Sequence, residues 1–563
     1  MALSTSYACG SREQPLITQT LGDFFDAMAA RQGEREALVA CHQQRRLSWA
    51  QLALEVDVLA SAMLRSGLAR GDRVGIWAHN CVEWVLMQLA TAKVGIVLVN
   101  INPAYRVAEV EYALNKVGCK ALVLMPEFRT SDYLGMMREL APELAHCAPG
   151  ELRAARLPQL RLLVQLGATD EPGMLRFEQW MQRGVAGDAQ VASTAATLGP
   201  DDPINIQFTS GTTGFPKGAT LTHSNILNNG YFIGEAMKLT EQDRLCIPVP
   251  LYHCFGMVLG NLACITHGAT IVYPNSAFDP LLTLQAVQAE RCTGLHGVPT
   301  MFIAMLDHPR FREFDMGTLR TGIMAGSPCP VEVMKRVVSD MHLSQITIAY
   351  GMTETSPVSC QSSTDTPLDR RVSTVGQVQP HLEVKIVDPA DGHTVEPGVA
   401  GELCTRGYSV MHGYWGDEQR TREAIDAEGW MHTGDLATMD AEGYVNIVGR
   451  IKDMVIRGGE NIYPREIEEF LYRHPMVQDV QVVGVPDAKY GEELCAWIIP
   501  RPGTSPTEQD IRGFCQGQIA HYKIPRYIRF VQGFPLTITG KVQKFKIRDE
   551  MKEQLGLQEQ RTA

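Results

Sequence analysis

Short apolar runs of strand length alternate with helix-length stretches through most of this 563-residue chain, and that alternation points to α/β layering. Arg73–Trp77 reads as one such strand and residues 83–92 as the helix that follows it. A chain of this length passes the size at which one hydrophobic core stops growing, so two or more lobes are expected, each able to bury a core without metal or disulfides. Near residue 380 the texture changes. Leu382–Val387, 401–404 and 443–448 are short strands separated by Gly/Asp/Pro turns, the pattern of a β-rich subdomain.

Another unit begins after Arg450. Pro464 stands where a first helical residue would, and Glu466, Glu468 and Glu469 follow early enough to offset the positive end of the helix. Ile467, Phe470 and Leu471 make one apolar stripe. Ser505-Pro506-Thr507-Glu508 offers a capping box for a second helix running to about Ala520. With strands at 480–485, 493–499 and 527–531, the C-terminal end should form a compact α+β domain. The expected division is a large α/β domain with its β-rich subdomain, residues 1–451, followed by a small domain, residues 452–563; no internal repeat is visible.

A net charge of −12 and a pI near 5.7 argue against nucleic acid as the main partner, because gripping a phosphate backbone calls for a basic face. A local basic groove would still suit an anionic cofactor. The 14 cysteines are dispersed and no CxxC occurs, so neither a zinc knot nor a disulfide framework is legible, and a reducing, cytoplasmic setting is expected. The first residues, MALSTSYACGSREQPL, lack a basic region followed by an apolar core. The most apolar stretch, 84–99, is interrupted by Lys93 and falls short of the ~20 residues that span a bilayer, so no membrane span is expected.

Between a strand-like 203–207 and a strand-like 219–221 the chain reads Phe208-Thr-Ser-Gly-Thr-Thr-Gly-Phe-Pro-Lys-Gly218. Glycines let backbone N–H groups crowd round an anion, the hydroxyls of Thr209, Ser210, Thr212 and Thr213 add donors, and Lys217 adds charge. This is the composition of a polyphosphate cradle. It is not a Walker A loop, because Phe215 and Pro216 separate Gly214 from Lys217 and no Ser or Thr follows the lysine. An ordinary Ser/Gly/Thr surface turn shares the composition, so other segments decide.

Four further segments do so. Tyr350-Gly-Met-Thr-Glu-Thr355, His432-Thr-Gly-Asp435, Gly449-Arg-Ile-Lys-Asp453 with Gly458-Gly-Glu-Asn-Ile-Tyr-Pro464, and Thr539-Gly-Lys541 follow the loop in order. Together the five resemble, from about residue 200 to 545, the acyl-activating, adenylate-forming family of acyl-CoA synthetases, luciferases and peptide-synthetase adenylation domains. Within that family the chain most resembles medium-chain fatty acyl-CoA synthetases.

The resemblance implies the site. Thr209, Ser210, Gly211, Thr212, Thr213, Gly214 and Lys217 would cradle the phosphates of ATP, Glu354 and Thr209 would approach Mg²⁺, and Thr353 would donate to the α-phosphate. Tyr350 and Gly351 belong to the same nucleotide-binding segment. Gly326 and Ser327 would lie along the adenine, Asp435 and Arg450 would hold the ribose, and Lys541 would act on the reacting phosphate. His253 matches a position beside the acyl carboxylate, Gly458 and Gly459 border the channel for coenzyme A, and Lys452 matches the hinge of a mobile C-terminal domain.

The implied reaction joins a carboxylic acid to coenzyme A through an acyl-adenylate, using ATP. From Leu251 to Leu262 there is no Asp or Glu to pair with a buried ammonium, so the acid should be uncharged apart from its carboxylate and mostly apolar, a fatty acid before an amino acid. A carrier-protein-loading adenylation enzyme and a luciferase-like oxygenase would share every nucleotide motif, although only 22 residues follow Lys541. The expected partners are small molecules, and the reading leaves room for a homodimer.

Overall fold

The computed structural model describes residues 3–209, 216–327, 329–457, 460–487, 489–537 and 540–556. Two large sheets organise the first 380 residues. One has eight strands in the order Met174–Arg176, Leu162–Gln165, Cys119–Leu124, Arg73–Trp77, Val97–Asn100, Pro203–Thr209, Lys217–Thr222 and Gly413–Tyr414; the first six are parallel and the last two are added antiparallel. The other has nine, with six parallel strands at its centre: Gln345–Gly351, Thr321–Ala325, Gly294–Gly297, Arg244–Cys246, Thr270–Tyr273 and Glu36–Ala40.

Both sheets are buried on both faces, and the side-chain period of two sorts their residues between different cores. Val74 and Ile76 join one core while Trp77 joins another; Ile323 and Ala325 face the same shared core as Val74, while Met324 points the opposite way. The shared core is the helical layer between the sheets. Helix Val82–Lys93 runs through it with every residue buried except Glu83 and Lys93 at its ends. A helix apolar all round needs either lipid or protein on every side, and here two sheets and the helices Leu21–Gln32 and Trp49–Arg65 supply the protein. Lys93, which breaks the apolar run in the sequence, reaches Asp26 of the first of these helices at 2.8 Å and Asp57 of the second at 3.3 Å. Among the described residues no helix is long and apolar enough to cross a membrane.

The β-rich subdomain is a five-stranded antiparallel sheet of Tyr7–Cys9, Leu382–Val387, Gly401–Gly407, Met431–Met439 and Val445–Arg450. Its outer strand comes from the N-terminus, a pairing across more than 370 residues that no local pattern announces. After the 3₁₀ turn Ile451–Asp453 the chain enters a separate five-stranded sheet, in which Tyr527–Phe530 pairs parallel to Gly491–Pro500. This sheet has its own core of Val455, Ile467, Leu471, Val480, Val482, Leu494, Ile498 and Ile511. Helix Pro464–Leu471 starts at Pro464 as expected, and Ile467 and Leu471 are fully buried.

The second helix differs from the expectation. Its capping box is Thr507 with Asp510, two residues beyond the Ser505–Glu508 pair, and it spans only Glu508–Cys515. It ends well before Ala520 because Gln516 is extended and Gly517 turns to a φ of +73°.

Trp84 fills the centre of the shared core. Trp84→Ala should cost about 3–5 kcal/mol, the scale for deleting a large buried aromatic. The check is the urea midpoint followed by far-UV circular dichroism. A midpoint unchanged from the parent would show that the helical layer is not the stabilising centre of the N-terminal region.

Candidate functional site

Strands Pro203–Thr209 and Lys217–Thr222 are antiparallel neighbours, and Thr209 pairs with Lys217 across the ladder. The hairpin therefore sets the two ends of the phosphate loop side by side. Ser210, Gly211, Thr212, Thr213 and Gly214 lie outside the described residues, as do Gly458 and Gly459.

Glu354 meets the loop ends from the next sheet. Strand Gln345–Gly351 ends in a tight 3₁₀ turn, Thr353–Thr355, that turns Glu354 inward until only 5% of it is exposed. Gly351 makes this turn feasible: a Cβ there would lie 1.6 Å from the carbonyl oxygen of Pro357. The Thr209 hydroxyl donates to Glu354 Oε1 at 3.1 Å, and the Tyr414 hydroxyl donates to the same oxygen at 2.9 Å. Lys217 Nζ in turn donates to the Tyr414 oxygen at 2.9 Å and lies over the ring, 4.2 Å from its centre. Burial holds Lys217 below the ordinary lysine range, with Glu354 pulling it back and Arg420 and Lys452 adding like charge.

The result is a closed chain of Lys217, Tyr414, Glu354 and Thr209. A carboxylate and a hydroxyl oxygen 3.1 Å apart are hard ligands of the kind Mg²⁺ takes, and no soft ligand stands beside them in this chain of contacts. Sequence reasoning missed Tyr414. It sits in a two-residue strand, Gly413–Tyr414, whose pairing with Ala219 and Thr220 alone brings it to the loop.

Asp435 and Arg450, fifteen apart in sequence, are direct partners across the strands Met431–Met439 and Val445–Arg450. Arg450 Nε stands 3.4 Å from Asp435 Oδ1, and the Tyr350 hydroxyl donates to Asp435 Oδ2 at 2.7 Å. Burial raises the Asp435 carboxyl, and the Arg450 charge and the Tyr350 hydrogen bond oppose that rise. The turn before Asp435 is fixed from behind. Glu402 accepts from the Gly434 N–H at 3.0 Å and holds His432 Nδ1 at 2.9 Å, while Asp426 stands 3.5 Å from Nε2. The hydrogen bonds to Cys404 and Glu402 raise His432 to about 10, so it is an imidazolium at neutral pH.

Lys541 arrives from the C-terminal unit and is half-buried at this junction. Its Cε lies 3.4 Å from where a Cβ on Gly326 would stand, and Gly326 turns the chain with a φ of +90° at the end of strand Thr321–Ala325, just before Ser327. Burial, then the Arg450 charge, push the ammonium down to about 8, against the attraction of Asp435, Cys254 and Glu354. His253 is pushed down to about 3 by burial and by the Lys541 charge, and is neutral. The Phe255 N–H donates to His253 Nδ1 at 3.2 Å, so the ring proton sits on Nε2, which is left as a donor. Directly after it, Phe255–Leu262 is a fully buried π-helix, and Thr353 touches the adjoining Cys254 side chain. Lys452 lies in the 3₁₀ turn between the two units.

The structure thus brings together Thr209, Lys217, His253, Gly326, Tyr350, Thr353, Glu354, Asp435, Arg450 and Lys541, drawn from the phosphate-loop hairpin, the nine-stranded sheet, the antiparallel sheet and the C-terminal unit.

Known proteins resemble the chain along nearly its whole length. The AMP-binding enzyme family matches residues 25–415, and the AMP-binding enzyme C-terminal domain matches residues 466–541. YngI of Bacillus subtilis, which carries the name acyl-CoA synthetase, is 49% identical over 96% of this chain and 99% of its own length. The human mitochondrial medium-chain acyl-CoA ligase ACSF2 is 46% identical over 98% of this chain and 91% of its own. Among solved structures, the anthranilate CoA ligase AuaEII in complex with anthranoyl-AMP superposes with a TM-score of 0.86 at 26% identity, covering 97% of this chain and 99% of that one. ATP-bound MatB from Rhodopseudomonas palustris gives a TM-score of 0.79 at 27% identity, covering 95% and 99%.

Two outcomes follow from the geometry. Glu354→Gln keeps the size of the side chain but removes the charge a hard cation prefers, so adenylation should fall and need more Mg²⁺; an unchanged Mg²⁺ dependence would remove Glu354 from the metal site. Lys541 is a cation below its pKa of about 8 and loses its charge above it. The kcat/KM of adenylation for ATP should therefore drop above that pH, by about tenfold per unit once the lysine is neutral, and the alkaline limb should vanish in Lys541→Arg. A limb that persists unchanged in Lys541→Arg would assign it to another group.

Proposed function

The chain belongs to the AMP-binding enzyme family, and we propose that it is an ATP-dependent acyl-CoA synthetase that activates a medium-chain fatty acid as its adenylate and passes the acyl group to coenzyme A. The observation that carries this reading is the convergence of Lys541, Glu354 with Thr209, and Asp435 with Arg450 on one junction. Full-length relatives named as acyl-CoA synthetase and medium-chain acyl-CoA ligase support the acceptor and the chain length.

In the first half-reaction a carboxylate oxygen bonds to the α-phosphorus of ATP and the α–β bridging P–O bond breaks, releasing pyrophosphate. Little covalent work falls to the protein, which aligns the reactants and offsets charge. Lys541 supplies a cation in a site partly shielded from water, where its charge is screened less than in bulk. Lys217 and the loop it closes serve the β- and γ-phosphates, Thr353 the α-phosphate, Asp435 and Arg450 the ribose, and Gly326 and Ser327 the adenine face. Glu354 and Thr209 would hold Mg²⁺, which when bound offsets phosphate charge. The neutral His253 donates from Nε2 to the acyl carboxylate and orients it.

In the second half-reaction the sulfur of coenzyme A bonds to the acyl carbon, the bond to AMP breaks, and the thiol proton leaves to solvent. One small unit carries both Lys541 and the 458–459 loop, so the two half-reactions use different faces of it, with residues 1–451 and 452–563 turning about Lys452. The position of Lys452 in a short turn between two separate sheets supports this division. The fourteen free cysteines support a reducing, cytoplasmic setting.

A carboxylate-dependent pyrophosphate-exchange panel tests the reading, with free coenzyme A and a carrier protein compared as acceptors. Medium-chain fatty acids should exchange fastest and coenzyme A should be the better acceptor. Amino acids outpacing fatty acids, or acyl transfer to the carrier protein alone, would refute it.

A further inference from the structure

Helix Pro299–Leu306 belongs to the nine-stranded-sheet region, yet the C-terminal unit grips it at both ends. At its start, the Thr300 hydroxyl donates to the carbonyl oxygen of Gly540 at 3.2 Å. Gly540 has a φ of +80° and approaches so closely that a Cβ on it would lie 2.9 Å from Val298 Cγ2 and 3.1 Å from Thr300 Oγ1. At its end, the C-cap residue Asp307 accepts from Gln478 Nε2 at 2.9 Å. The other oxygen of Asp307 is held by Arg336 at 2.8 Å, so the carboxylate is already aimed when the C-terminal unit meets it.

The described residues on either side of Lys541 are tied to one another. Thr537 N–H donates to the Lys541 carbonyl at 2.8 Å, the Thr537 hydroxyl accepts from Lys541 N–H at 3.0 Å, Gly540 N–H donates to the Thr537 carbonyl at 3.0 Å, and Leu536 bridges to Val542. Fixing Gly540 against Val298 and Thr300 therefore fixes Lys541 one residue on, where its side chain passes Gly326. Two contacts at opposite ends of an eight-residue helix, about 12 Å long, add to the packing of helix Pro464–Leu471 on strand Val445–Arg450 and constrain the angle of the unit where Lys541 is carried.

We propose that helix Pro299–Leu306 is the seat that registers Lys541 for adenylation, with Thr300 and Asp307 as positioning residues that hold the C-terminal unit through Gly540 and Gln478. The proposal rests on the reading that Lys541 serves the first half-reaction. Neither Thr300 nor Asp307 touches a reacting atom in this scheme. When the C-terminal unit turns for thioester formation both contacts break, so their loss should burden one half-reaction only.

The experiment compares Thr300→Val, Thr300→Ser, Gln478→Ala and Lys541→Ala in two assays, pyrophosphate exchange and single-turnover thioester formation from supplied acyl-AMP. Thr300→Val and Gln478→Ala should each slow exchange about fivefold, the scale for losing one hydrogen bond. The loss should fall on kcat, with KM for the acid and ATP unchanged, and thioester formation should keep its rate or gain. Thr300→Ser should restore exchange. Equal losses in both half-reactions would make Thr300 a merely structural residue and overturn the proposal. Full exchange in both Thr300→Val and Gln478→Ala, with Lys541→Ala inactive in exchange, would overturn the seat while leaving the role of Lys541 standing. Full exchange in Lys541→Ala would remove that role and the seat together.

Discussion

A lysine ammonium half-buried near an arginine is an unfavourable arrangement, and the site depends on it. Desolvation and the Arg450 charge both act against the Lys541 cation, and Asp435 and Glu354 compensate only in part. In the proposed function the polyphosphate of ATP supplies the missing negative charge, and partial shielding from water strengthens the hold of Lys541 on it. The surrounding contacts can be understood as the means of keeping that cation in place. The hairpin partners Asp435 and Arg450 fix one wall, the Thr353–Thr355 turn fixes another, and the C-terminal unit delivers the lysine against helix Pro299–Leu306.

The polar chain of Lys217, Tyr414, Glu354 and Thr209 is the second constraint. Each member is satisfied by another, so no buried charge is left without a partner before substrate arrives. Because Tyr414 both donates to Glu354 and accepts from Lys217, it spaces a cation and a carboxylate that would otherwise pair directly. In the proposed function that spacing keeps both available to a metal–phosphate ligand.

Much of this was legible in the sequence, for physical reasons that differ from residue to residue. Asp435 and Arg450 were placed together through the motifs that contain them, and the structure makes them ladder partners across a hairpin. Glu354 and Thr209 were legible through the motifs that contain them. Pro464 announced its helix because proline suits only the first turn. What was illegible depends on long-range pairing. Tyr414 reaches the site through a two-residue strand, and Tyr7–Cys9 closes a sheet whose other strands begin at Leu382. The cap at Thr507 was displaced by two residues because Ser505 and Thr507 both precede an acidic residue at the right spacing, and only the backbone decides between them. Thr300 and Asp307 carry no motif; their role appears only when Gly540 and Gln478 are brought to them from far along the chain.

In the proposed function Lys541 acts in adenylation and leaves before the thioester forms. Single-turnover measurement of both half-reactions in Lys541→Ala tests it most directly. Acyl-adenylate formation should slow by about 3 kcal/mol or more in barrier height, the scale for losing a preorganised transition-state donor, while thioester formation from supplied acyl-AMP keeps its rate. Equal loss of both half-reactions, with the fold intact, would contradict it.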